Sequence, residues 1–163
     1  DGVQEDKGRR SMGAMVDDSS IETSIKVNLN AADELLKKAH INVVSFNGTV
    51  LLVGQVPSQE MKNLATRVTR TSSSRVKEVY NELEVAGTTT FLSRSNDAWL
   101  TAKIKTLMLA DREVSSFRTK VITENGVVYL MGLLSEEEAA TTVNLVSNTR
   151  GVTKVVRAFE YIN

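Results

Sequence analysis

Few side chains in this sequence could carry covalent chemistry, and their spacing argues against it. The chain has no cysteine, which removes thiol catalysis, thiolate metal ligation and disulfides. Its one histidine, His40, stands between Ala39 and Ile41 and reads as an ordinary residue at a helix end. A lone imidazole without thiolates argues against a zinc or iron centre. The run Glu136-Glu137-Glu138 follows Ser135, the pattern of a helix N-terminus, where carboxylates face the positive end of the helix dipole. No divalent-ion site is needed to account for it. No Ser/His/Asp set, glycine-rich phosphate loop or close carboxylate pair stands out. Catalysis, cofactors and bound metals are therefore not expected. What remains is recognition chemistry, and its strongest candidate is the only tryptophan, Trp99, followed by Lys103 and Lys105. An indole prefers the boundary of a membrane, where its ring meets acyl chains and its N–H stays near headgroups. Lysines beside it attract anionic phosphates.

The elements that must position Trp99 are legible because the chain repeats itself. Its 163 residues suffice for one medium domain or two small ones. Apolar residues form 41% and charged residues 25%, as in an ordinary globular protein. The 20 Lys and Arg balance the 20 Asp and Glu, so no attraction to nucleic acid through bulk charge is expected. No apolar run approaches the roughly 20 residues of a transmembrane span. Residues 41–56 read INVVSFNGTVLLVGQV, and residues 119–134 read TKVITENGVVYLMGLL. Asn47-Gly48 matches Asn125-Gly126, Leu52 matches Leu130, and Gly54 matches Gly132. Upstream, Asp18, Ile21 and Ile25 match Asp97, Leu100 and Ile104. The chain therefore reads as two copies of one domain.

Each copy follows the same local grammar. Asn-Gly between alternating apolar runs predicts a type I′ hairpin, because both central residues need positive φ. The strand after each turn is almost wholly apolar, as in a central strand buried on both faces. Gly54 and Gly132 near its end point to a bulge or a close backbone approach. Ser58 and Ser135 then cap helices, and a final strand closes each copy. With a leading helix, each unit is αββαβ, an α+β fold with a three-stranded mixed sheet packed on two helices. Residues 1–17 are expected to form a flexible tether, 18–86 the first domain, 87–95 a Thr- and Ser-rich linker and 96–163 the second domain. Residues 31–39 lengthen or follow the first helix. The chain begins at Asp1 rather than Met, so a processed or trimmed N-terminus is expected.

The two copies act as controls for each other. On a helical wheel over residues 97–109, Leu100, Ile104, Leu107 and Met108 fall in one stripe about 100° wide, the expected core face. Trp99 lies about 125° from the centre of that stripe. Ser20 holds the matching position in the first copy, so the fold needs no aromatic there. An exposed Trp99 is therefore expected. The competing reading buries its ring against the other copy or a linker.

Several longer motifs carry a resemblance: RSMGAMVDD at residues 10–18, LLVGQ at 51–55, EVYNE at 78–82, SNDAW at 95–99 and TENG at 123–126. Over about residues 9–163 the sequence resembles the BON-domain family, and especially its two-domain outer-membrane lipoproteins of Gram-negative bacteria. The resemblance implies a non-enzymatic protein, lipid-anchored at the periplasmic face of the outer membrane. It also implies enrichment at the division site, links to the outer-membrane assembly machinery and a role in envelope integrity. In such proteins the first helix of the second domain binds anionic phospholipids such as phosphatidylglycerol and cardiolipin. The matching lipid-binding positions here are Ser95, Asn96, Asp97, Ala98, Trp99, Leu100, Ala102, Lys103, Lys105 and Thr106. Gly54, Gly132, Asn47, Gly48, Asn125 and Gly126 match structural positions. The lipid-bearing cysteine is not among the 163 residues, so the anchor comes from the resemblance alone. Other two-domain members are soluble periplasmic proteins, and the alternative expectation is a stress chaperone or protein-interaction module of that kind.

Overall fold

The structure, a computed structural model, describes residues 10–162. Two compact units divide at Thr90 and Phe91. In the first, helix α1 (Met12–Ala32) and the short α2 (Glu34–Lys38) precede strands β1 (His40–Phe46) and β2 (Thr49–Val56). Helix α3 (Gln59–Thr71) and strand β3 (Glu78–Val85) complete it. The second runs through α4 (Phe91–Ala110), a 3-10 turn (Ser116–Arg118), β4 (Thr119–Glu124), β5 (Val127–Leu134), α5 (Glu136–Ser147) and β6 (Lys154–Tyr161). Each sheet has three strands with the second in the middle, antiparallel to the first and parallel to the third. The mixed α+β fold expected from the repeat is thus present in both units.

The hairpins form where the sequence requires them. Asn47 and Gly48 have φ of 50° and 81°, and Asn125 and Gly126 have 51° and 79°, the signature of a type I′ turn. The middle strand β2 is buried along its whole length, and β5 along all but its first residue. In the first unit, Ile21 and Ile25 of α1 close one core with Val50 and Leu52 of β2, Met61 of α3 and Leu83 of β3. In the second, Leu100, Ile104 and Met108 of α4 meet Val121, Leu130, Val146 and Phe159.

Both first helices begin earlier than the sequence pattern suggests. The Ser11 hydroxyl caps α1 by accepting from the Ala14 N–H at 3.0 Å, so residues 12–17 are helical rather than tether. Residues 1–9 of the expected tether lie outside the described residues. Likewise α4 starts at Phe91, inside the expected linker 87–95. The reason is common to both. Before Asp18 and Asp97 no residue of either helix is buried among those whose burial is described, so no apolar period marks those turns.

Gly54 and Gly132 sit where the first strand crosses closest. Gly54 pairs with Ile41, has φ of 133°, and a Cβ there would lie 1.9 Å from the His40 carbonyl oxygen. A Cβ on Gly132, opposite Thr119, would lie 2.4 Å from the Arg118 carbonyl oxygen. Close backbone approach explains both.

Candidate functional site

Helix α4 divides its surface between the core of the second unit and solvent. Leu100, Ile104 and Met108 are buried. Leu107, expected on the same stripe, is 38% exposed, because it opens onto a surface groove lined by Thr141, Asn144 and Leu145 of α5. On the far side Trp99 is 64% exposed. One turn later Lys103 places Nζ 5.2 Å from the centroid of the indole ring. Such a cation–π contact is worth about 0.5–1 kcal/mol at an exposed site. The same ammonium donates to the Arg150 carbonyl oxygen at 3.4 Å. Indole and positive charge therefore stand together on one patch of surface.

The other expected lipid-binding residues divide into two groups. Ser95, Asn96, Ala98, Ala102, Lys105 and Thr106 are exposed, and Lys103 is half-buried. Asp97 and Leu100 are buried, so neither stands on the open surface as expected, and they reach only the lining of a cleft beside Trp99. Leu100 belongs to the core stripe. Asp97, 7% exposed, turns its carboxylate to the hairpin and accepts from the Asn125 and Gly126 N–H groups at 2.7 and 2.8 Å. Asp18 does the same in the first unit, accepting from the Asn47 and Gly48 N–H groups at 2.6 and 2.9 Å and from the Ser45 hydroxyl at 2.7 Å. These aspartates moor each leading helix to its turn. Matching Asp18 to Asp97 was the signal available in the sequence, because a feature shared by both copies belongs to the fold.

Sequence reasoning missed two surface features beside Trp99. Leu92, seven residues earlier and on the same side of α4, is exposed. An open cleft of about 390 Å³ runs past the indole between α4 and the hairpin turn, lined by Ser93, Asn96, Asn125, Gly126 and Gly151. The first unit has a counterpart of about 340 Å³, lined by Asp17, Asn47, Gly48, Arg75 and Lys77. There Arg75 pairs with Asp17 at 3.2 Å, and among the described residues no aromatic ring lines the cleft.

The clearest electrostatic constraint lies elsewhere in this unit. Partial burial raises the Glu138 pKa, yet the Ser135 N–H, the Arg118 guanidinium and the Ser135 hydroxyl outweigh it and hold the carboxyl below its ordinary range. The Ser135 N–H donates to Glu138 at 3.0 Å, and the Glu138 N–H donates to the Ser135 hydroxyl at 3.1 Å, a reciprocal cap for α5. Among the described residues, no group of three His, Cys, Asp or Glu side chains is placed to hold a metal ion. None of their helices is long and apolar enough to cross a membrane.

The sequence is similar to those of known proteins. The BON domain matches residues 17–87 and 96–163. The Outer membrane lipoprotein DolP of Haemophilus influenzae is 36% identical over 154 residues, covering 94% of this chain and 79% of its own length. The 21 kDa hemolysin of Actinobacillus pleuropneumoniae is 40% identical over 157 residues, covering 94% and 78%. The Osmotically-inducible protein Y of Escherichia coli is 31% identical over 138 residues, covering 83% and 68%.

Proposed function

The chain is a member of the BON-domain family, with two copies of the domain in tandem, and on that premise we propose that it is a non-enzymatic envelope protein that docks on anionic phospholipids through α4. The observation that carries this reading is the pairing of an exposed Trp99 with Lys103, on a helix whose counterpart has Ser20. The indole enters the headgroup boundary while Lys103 and Lys105 attract phosphate, at about 1 kcal/mol per lysine. Phosphatidylglycerol and cardiolipin are the ligands of matching charge. Contacts of this size give weak, reversible docking, which a lipid tether strengthens by raising the effective concentration at the membrane.

Likeness to an outer membrane lipoprotein supports a site of action at the periplasmic face of the outer membrane, with the full-length protein lipid-anchored. Support of envelope integrity, enrichment at the division site and contact with the outer-membrane assembly machinery belong to the same proposal. The first domain then braces the second or offers a surface to a protein partner.

Vesicle flotation tests the reading. Binding is expected to vesicles containing phosphatidylglycerol and not to phosphatidylethanolamine alone. Trp99→Ala should weaken it on the order of tenfold, about 1.4 kcal/mol, with stability lowered by no more than the contact with Lys103 supplies, about 0.5–1 kcal/mol. Undiminished binding by that variant rejects the mechanism. Capture of unfolded protein without vesicle binding favours a soluble interaction module instead.

A further inference from the structure

The face of α4 that bears Trp99 leads to another exposed apolar group. Leu109, in the last turn of α4, is 67% exposed. Phe117, in the middle of the 3-10 turn that follows, is 84% exposed. A groove of about 290 Å³ joins the two, with the buried Met108 and Val121 beneath it. Its charged lining residues are Lys105 and Lys120, and among the described residues no carboxylate lines it.

Leu109 follows Trp99 by about three helical turns, about 15 Å along the axis, and lies within about 80° of it around the helix. We propose that Leu109 and Phe117 form a second insertion point for an anionic bilayer, so that α4 lies flat in the headgroup layer and is gripped at both its middle and its end. This rests on the lipid reading of α4. Charge complementarity selects the occupant: a phenyl ring and a leucine framed by two lysines suit an apolar layer covered by phosphates. A second copy meeting the same patch across a two-fold axis would bring lysine rim against lysine rim. The geometry also separates the two contact points by function. Trp99 sits beside Lys103 at the polar cleft, whereas Leu109 and Phe117 offer no hydrogen-bonding side-chain atom and enter the acyl region alone.

These 163 residues contain no cysteine, so Phe117→Cys gives them a single labelling site. With an environment-sensitive fluorophore there, vesicles of phosphatidylglycerol and phosphatidylethanolamine should blue-shift the emission, and a lipid-borne nitroxide should quench it. Phe117→Ser and Leu109→Ser should each weaken vesicle binding about fivefold, with unchanged thermal melts. Normal binding by Phe117→Ser, or a label that stays unquenched while Trp99→Ala still loses binding, overturns the second insertion point and leaves the α4 reading standing. Absence of phosphatidylglycerol binding by the unaltered chain overturns both. A label buried without vesicles, together with dimers in sedimentation that Phe117→Ser abolishes, assigns the patch to a second copy and overturns the bilayer proposal.

Discussion

The residues around Trp99 are separated by burial into those that hold the fold and those that face solvent. Asp97 and Trp99 are two positions apart, yet one is buried at the hairpin and the other is exposed. Asp97→Ala would leave two turn N–H groups without their acceptor, at a cost of about 2–4 kcal/mol. Chemical denaturation should show this loss in the second domain, and Trp99→Ala should lose no more than the contact with Lys103 supplies, about 0.5–1 kcal/mol. Any fall in lipid binding by Asp97→Ala should therefore track unfolding. Trp99 outside the core stripe was legible from the helical wheel and from Ser20 in the matching position. The match of Asp18 to Asp97 marked Asp97 as a residue of the fold, but the partners of its carboxylate, 28 and 29 residues along the chain, were not legible from local spacing.

The elements owe their geometry to a few contacts that admit little change. Gly54→Ala places a methyl group against the His40 carbonyl in a backbone conformation that alanine rarely adopts. Gly132→Ala meets the steric conflict without that backbone penalty. Thermal melts should show both variants strongly destabilised, Gly54→Ala the more so, on the order of 3 kcal/mol or above. The α5 cap gives a pH-dependent counterpart. The Glu138 carboxyl is held below its ordinary range in the folded protein, so its stabilisation is present above the unfolded-state pKa and fades as pH falls through the folded one. Glu138→Gln should thus be less stable than the unaltered chain at neutral pH, by about 1 kcal/mol. The two melts should converge in acid. Equal melting at neutral pH would dismiss the role given to this carboxylate. Both caps were readable from Ser58 and Ser135, whereas Arg118 comes to Glu138 only through the fold.

Across the molecule as a whole, formal charge cancels, so attraction to an anionic surface must come from the local grouping of lysines on one helix. Vesicle binding should accordingly fall several-fold between about 0.1 M and 1 M salt, where the screening length shrinks from about 10 Å to about 3 Å. Some binding should persist through the apolar contacts. Salt-insensitive binding in a titration would remove the lysines from the mechanism. Duplication gives this arrangement its economy: the same αββαβ frame carries an ion-paired cleft in one copy and a tryptophan-walled cleft in the other.

Local residue order was enough to specify the two repeats, their hairpins, the serine caps, the buried middle strands and a tryptophan outside the core stripe. Each is written in residues that are neighbours along the chain or along one helix, where periodicity and turn chemistry act. It took the folded chain to make Asp97 a mooring, leave Leu107 partly exposed, start the helices early and bring Phe117 to Leu109 across a groove. Those outcomes depend on how segments distant in sequence close on one another, and no local spacing encodes that closure.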